Sequence, residues 1–130
     1  MPYNLNPDKS KNNIEYSETK NVNSMKYTQS ISDVVRSAIE FHMTNIGDTF
    51  QFFIRIPGNH LTNGQNLFTL KTGYRPATRM TFPICEYNGA KKIVGTCGIF
   101  LGGDVNVYFP SGQPNEVSIC GVFAKAPTTR

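Results

Sequence analysis

The chain has 130 residues and a formal net charge of +4, from thirteen Lys and Arg against nine Asp and Glu. That length fits one domain and is short for two. The basic residues are scattered, with only Lys91 and Lys92 adjacent, so nothing concentrates charge into the stripe or arm that nucleic-acid binding uses.

Residues 1–33 are rich in Asn, Lys, Ser and Glu and sustain no period of 2 or 3.6. This predicts an extended N-terminal arm, with a boundary to a folded unit spanning 34–130. Tyr3, Leu5, Ile14 and Tyr16 are spaced apolar anchors by which such an arm could attach to a larger particle. A turn or two of helix is expected between Ile31 and Ile39.

From there the pattern is that of strands. Ile39, Phe41 and Met43 alternate with polar residues, Asn45-Ile46-Gly47-Asp48 turns, and Phe50, Phe52, Ile54 and Ile56 alternate again, which predicts a β-hairpin. Residues 57–66 read as a long loop. Leu67-Phe68-Thr69-Leu70 is a short strand, and Gly73-Tyr74-Arg75-Pro76 turns out of it. Met80, Phe82 and Ile84 share a face of the next strand, where Pro83 predicts an edge or a strand end. Tyr87-Asn88-Gly89-Ala90 holds a hairpin signal. Ile93, Gly95, Cys97, Ile99 and Leu101 are expected on one face of the following strand. Val105, Val107 and Phe109 alternate in another, residues 110–114 form a loop, and the last strand covers 117–123. Many short strands with regular turns predict an all-β fold, a small antiparallel β-sandwich or jelly-roll-like head.

The odd cysteine count (Cys85, Cys97, Cys120) and wide spacing argue against a disulfide framework and a Cys-x-x-Cys metal site. Synthesis in a reducing cytosol is the expectation. The residues from Met1 to Asp8 lack a secretory pattern, and no apolar run is long enough to insert in a bilayer. His42 and His60 have no partners at metal-ligand spacing. Ser17-Glu18-Thr19-Lys20 and Lys71-Thr72-Gly73 match strings found in penicillin-recognising enzymes, but they fall in the arm and in a turn, without the third motif. Asp48 and Asp104 sit in turns, and no acidic pair is spaced for acid–base work. No catalytic residue, metal site or cofactor is therefore expected. A carbohydrate site needs an aromatic face beside polar side chains. The candidates are Tyr87, Asn88 and Lys91 at a hairpin tip, Tyr108 facing out of its strand, and Asn63 in a loop.

Ile46-Gly47-Asp48-Thr49, then Gly73-Tyr74-Arg75-Pro76, then Phe82-Pro83, and finally Ile119-Cys120-Gly121-Val122-Phe123 together give the chain a resemblance to a small β module of phage fibres. Such modules recur in tail-fibre and baseplate proteins of phages and prophages of Gram-positive bacteria. The likeness spans roughly residues 38–124, and Lys71 departs from a Pro common at that place. The resemblance implies a homotrimer on a virion surface, assembled in the host cytoplasm, contacting host cell-wall polysaccharide or teichoic acid. No catalytic residue carries over. With no shaft or repeat in the chain, the expectation is a separate head, tail or baseplate fibre. Its arm would dock on another virion protein, and its β head would serve host adhesion and receptor binding. The alternatives are a decoration or cementing protein without a receptor and, more remotely, a wall-polymer hydrolase using Asp48, Asp104 or Glu116.

Overall fold

The computed structural model describes residues 14–18, 25–27, 31–88, 91–112 and 114–127. Its regular elements are β1 (Ile14–Glu18), β2 (Met25–Tyr27), α1 (Asp33–Ala38), β3 (Glu40–Ile46), β4 (Thr49–Pro57), a 3-10 turn (Gly58–His60), β5 (Gln65–Leu70), β6 (Met80–Glu86), β7 (Ile93–Ile99), β8 (Asp104–Tyr108) and β9 (Glu116–Ala124).

The strands form one antiparallel sheet in the order β1-β3-β4-β9-β6-β7-β8-β5-β2. It folds over between β9 and β6. Those two strands share only the pairs Cys85↔Ser118 and Glu86↔Val117, while β4 and β9 pair along nine positions. Beyond the junction the halves separate and face each other. Phe41 on β3 and Phe68 on β5 lie far apart in strand order, yet their ring centroids are 4.9 Å apart. Phe52 on β4 meets Phe82 on β6 edge-on, also at 4.9 Å. The result is a curled, sandwich-like all-β domain whose core lies between inner faces of one sheet.

The alternating residues named from the sequence supply that core: Phe41 and Met43, Phe50, Phe52, Ile54 and Ile56, Val105, Val107 and Phe109, and Val117, Ile119 and Phe123 are buried. Pro83 sits on β6, paired to Thr96 of β7, at a position where the ladder to β9 has already ended. A residue with no N–H is tolerated there, in the middle of the strand order, because at Pro83 the β9 side of β6 carries no ladder.

Two bulges change the pattern. On β5 the register shifts between Asn66 and Phe68, so the consecutive residues Leu67 and Phe68 are both buried. On β7 the register jumps from Ile84↔Gly95 to Cys85↔Ile93. Val94 is the extra residue, and strict alternation is lost there. Ile93, expected on the buried face, is 67% exposed, and Leu101 stands in the turn beyond the strand and is also exposed.

The residues around α1 pack on the same core. Ser32 caps the helix, its Oγ accepting from the Val35 N–H at 3.2 Å, and Asp33 complements the helix dipole in the first turn. Ile31, Val35 and Ile39, spaced by four, are buried together. β2 extends the sheet beside β5, with Met25 opposite Leu70, and Met25 is 1% exposed. β1 pairs with β3 at the other end of the strand order. The segment read as an arm thus supplies the strand beyond β3 and the strand beyond β5.

The Gly73-Tyr74-Arg75-Pro76 segment ties four elements together. Tyr74 stacks on Phe50 of β4 at 5.6 Å. The Nε of Arg75 donates to the Leu70 carbonyl at 2.8 Å. Pro76 is buried and bridges to Lys125 just past β9. A Cβ on Gly103, in the β7–β8 turn, would lie 2.3 Å from the Leu70 carbonyl oxygen and 2.9 Å from Arg75 Nε. Only glycine lets that turn approach, and its φ of 95° also favours glycine.

Candidate site at the loop end

The antiparallel register brings three loops to one end of the sandwich, whose described residues are 58–64, 87–88 with 91–92, and 109–112 with 114–115. Pro57 at the end of β4 is paired with Glu116 at the start of β9, and Gln65 at the start of β5 with Val107 near the end of β8. Backbone and side-chain bonds join the loops. The Gly58 N–H donates to the Asn115 carbonyl at 2.7 Å, the Tyr87 N–H to the Glu116 carbonyl at 3.0 Å, and the Phe109 N–H to Asn63 Oδ1 at 2.7 Å.

One depression of about 600 Å³ is lined by Cys85, Glu86, Tyr87, Asn88, Lys91 and Ser118. It holds an aromatic ring, an amide, an ammonium and a hydroxyl. These groups can hydrogen-bond hydroxyls, pack against an apolar face and attract an anion. Lys91 has φ 56°, the one non-glycine residue with positive φ among those described, and strain of this kind gathers where a side chain must be aimed. A second depression of about 530 Å³ is lined by residues including Lys92, Ile93, Thr96, Pro110, Ser111 and Pro114. The adjacent lysines therefore line different hollows, Lys91 the first and Lys92 the second.

Tyr87 is held from below by the sheet. The guanidinium carbon of Arg55 lies 4.0 Å from its ring centroid, a close cation–π contact. Arg55 is fixed by Glu116: Nε donates to Oε2 at 2.7 Å and Nη2 to Oε1 at 3.2 Å. Arg55 Nη1 is 3.8 Å from Glu40 Oε1, and Glu40 Oε2 is 2.7 Å from His42 Nε2. The hydrogen bond to Glu116 is the chief cause that raises the Arg55 pKa above its ordinary value. Sequence reading had not singled out Arg55. The available signal was parity: Arg55 is the basic residue on the polar face of β4. Its partner stands 61 residues away in the chain, which spacing alone cannot reveal.

The five carbohydrate candidates separate. Tyr87, Asn88 and Lys91 share one depression. Asn63 spends its carbonyl oxygen on the Phe109 N–H. Tyr108 is half-buried, and Cβ atoms built on Gly64 and Gly98 would lie 3.9 and 3.8 Å from its ring carbons. Its ring thus covers glycines on either side of β8. The acidic residues also separate. Glu116 is at the loop end, Asp104 accepts from Thr69 Oγ1 at 2.7 Å, and the Asp48 carbonyl accepts from the Lys125 N–H at the opposite end. Among the described residues no group of three or more His, Cys, Asp or Glu is placed to hold a metal ion. Tyr3 and Leu5 lie outside the described residues, and Ile14 and Tyr16 lie on β1.

Fold and site together define a small antiparallel β domain with loops joined at one end and, between the β6–β7 connection and β9, a hollow lined by an aromatic ring, an amide and a lysine. No family model matches the chain, and no curated protein matches it.

Proposed function

We propose that the chain is a structural virion fibre protein, docked on a phage particle through its N-terminal arm and presenting a trimeric β head to host cell-wall glycan. The observation that carries this reading is the meeting of Tyr87, Asn88 and Lys91 in one open depression at the loop end. Loops gathered on a rigid sheet are where binding residues concentrate, and a ring flanked by amide and ammonium groups suits a hydroxyl-rich or phosphate-bearing polymer. Exposed Ile46 and Val122 on the strands leave apolar surface that association of copies would cover. A trimer would also multiply a weak single-site affinity, by about 10²–10⁴ when sites engage together.

The test is co-sedimentation of the full-length protein with purified cell walls from a panel of Gram-positive bacteria, beside its mass in solution. Retention that is lost in Tyr87→Ala and Lys91→Ala, from a species three times the chain mass, supports the reading. A folded protein that binds no wall but is required for particle integrity would point to the cementing role instead. A monomer would count against the trimer.

A further inference from the structure

We infer that Arg55 and Glu116 are positioning residues of the Tyr87 hollow: the guanidinium occupies one face of the ring and leaves the other face and the ring edge for the ligand. This deepens, and rests on, the reading that a wall polymer binds there. Tyr87 belongs to a loop, but two contacts fasten it to core strands and a third fixes one of its partners. Its N–H donates to the Glu116 carbonyl, its ring lies 4.0 Å from the Arg55 guanidinium carbon, and Arg55 is gripped by both carboxylate oxygens of the same Glu116. Glu116 thus holds the tyrosine twice, once through its backbone and once through Arg55.

A half-exposed ion pair of this kind (35% and 31% side-chain exposure) contributes little to stability. Its geometric effect is larger, because only a planar fork can be held at two oxygens and also lie over a ring. A ring set in place before the ligand arrives costs less to order on binding. Lysine keeps the charge of Arg55 but not the fork, so Arg55→Lys should loosen the ring and weaken wall retention about three- to tenfold, the range expected when one side chain must be ordered on binding. Glu116→Gln should act in the same direction.

The chain contains no tryptophan, so Tyr87→Trp installs a single indole at the site, excited selectively at wavelengths where tyrosine does not absorb. In that background Arg55→Lys and Arg55→Ala should raise acrylamide quenching and lower anisotropy, with little change in Tm. NMR ring-proton shifts of Tyr87 in the otherwise wild-type protein, compared with Arg55→Lys, check the same contact without the indole. Unchanged quenching and unchanged ring shifts would overturn the inference. So would a loosened ring with undiminished wall retention. Retention that survives Tyr87→Ala, or its absence in the wild type on every wall tested, would remove the adhesion reading and the ligand half of this inference with it. The quenching and the shifts would still report whether Arg55 clamps the ring.

Discussion

At one end of the sandwich, Gly103 lets the β7–β8 turn lie against Leu70 and Arg75 with no room for a methyl group, and Arg75 closes onto the Leu70 carbonyl. At the other end, Lys91 keeps a left-handed backbone beside an open hollow, and Arg55 and Glu116 support a tyrosine rather than a turn. Both ends use an arginine and a tyrosine. At the first end they are spent on closure, with Tyr74 against Phe50 and Arg75 on a backbone carbonyl. At the second they leave polar groups facing outward. Residue type therefore does not separate architecture from binding; what the side chain is packed against does.

The largest expected effect lies at the closed end. Gly103→Ala should destabilise the domain by about 3 kcal/mol or more, since it adds overpacking to a strained φ, and urea unfolding would measure it. Wild-type-like stability would mean that the turn relaxes freely and the two ends are equally permissive. Next comes the strand beside β5. Met25→Ala should cost about 2–5 kcal/mol, as for other buried methionines. Deleting residues 1–27 should in addition bare the edges of β3 and β5 and lead to aggregation, whereas deleting residues 1–13 should leave unfolding cooperative. Arg75→Ala removes one partner of a half-buried bond and should cost about 1–2 kcal/mol, without altering wall retention if the two ends divide as described. Lys91→Asn should do the reverse. Asparagine tolerates the left-handed region better, so stability should rise by up to about 1 kcal/mol while retention falls.

The smallest effect concerns the thiols. Burial pushes the Cys97 thiol up to about 12, while Cys120 is exposed. A thiol reagent at neutral pH should modify Cys120 in the native protein and reach Cys97 only on unfolding. Because the folded state holds the Cys97 proton to higher pH than the unfolded state, this group's contribution is complete below pH about 9. It is lost as pH climbs from there toward about 12. Stability that rose over that window would contradict the burial of Cys97.

Much of the fold was legible because a strand announces itself by local alternation. Phe50, Phe52, Ile54 and Ile56, or Val105, Val107 and Phe109, bury the same face in the structure that their period assigns them. Pattern reading faltered where a single residue breaks the period. Val94 does so on β7 and leaves Ile93 exposed, and a bulge cannot be read from composition. Met25 lay in a polar stretch with no period to betray it, because a three-residue strand is too short to show one. The site was legible only in part. Tyr87, Asn88 and Lys91 belong to one hairpin and were bound to be near one another. Tyr108 and Asn63 were grouped with them by residue type, and the structure gives them other neighbours.

The sequence by itself determined the all-β class, the strand alternation and the main turns, since these depend on neighbours two to four residues apart and on glycine and proline at particular positions. Tertiary structure alone decided where the sheet folds over, that three distant loops share one end, and that Arg55 meets Glu116 and Tyr87. Those outcomes depend on which strand edges pair across long stretches of chain. Hydrogen-bonding capacity is the same along every strand, so only the packing of the whole core selects among the pairings.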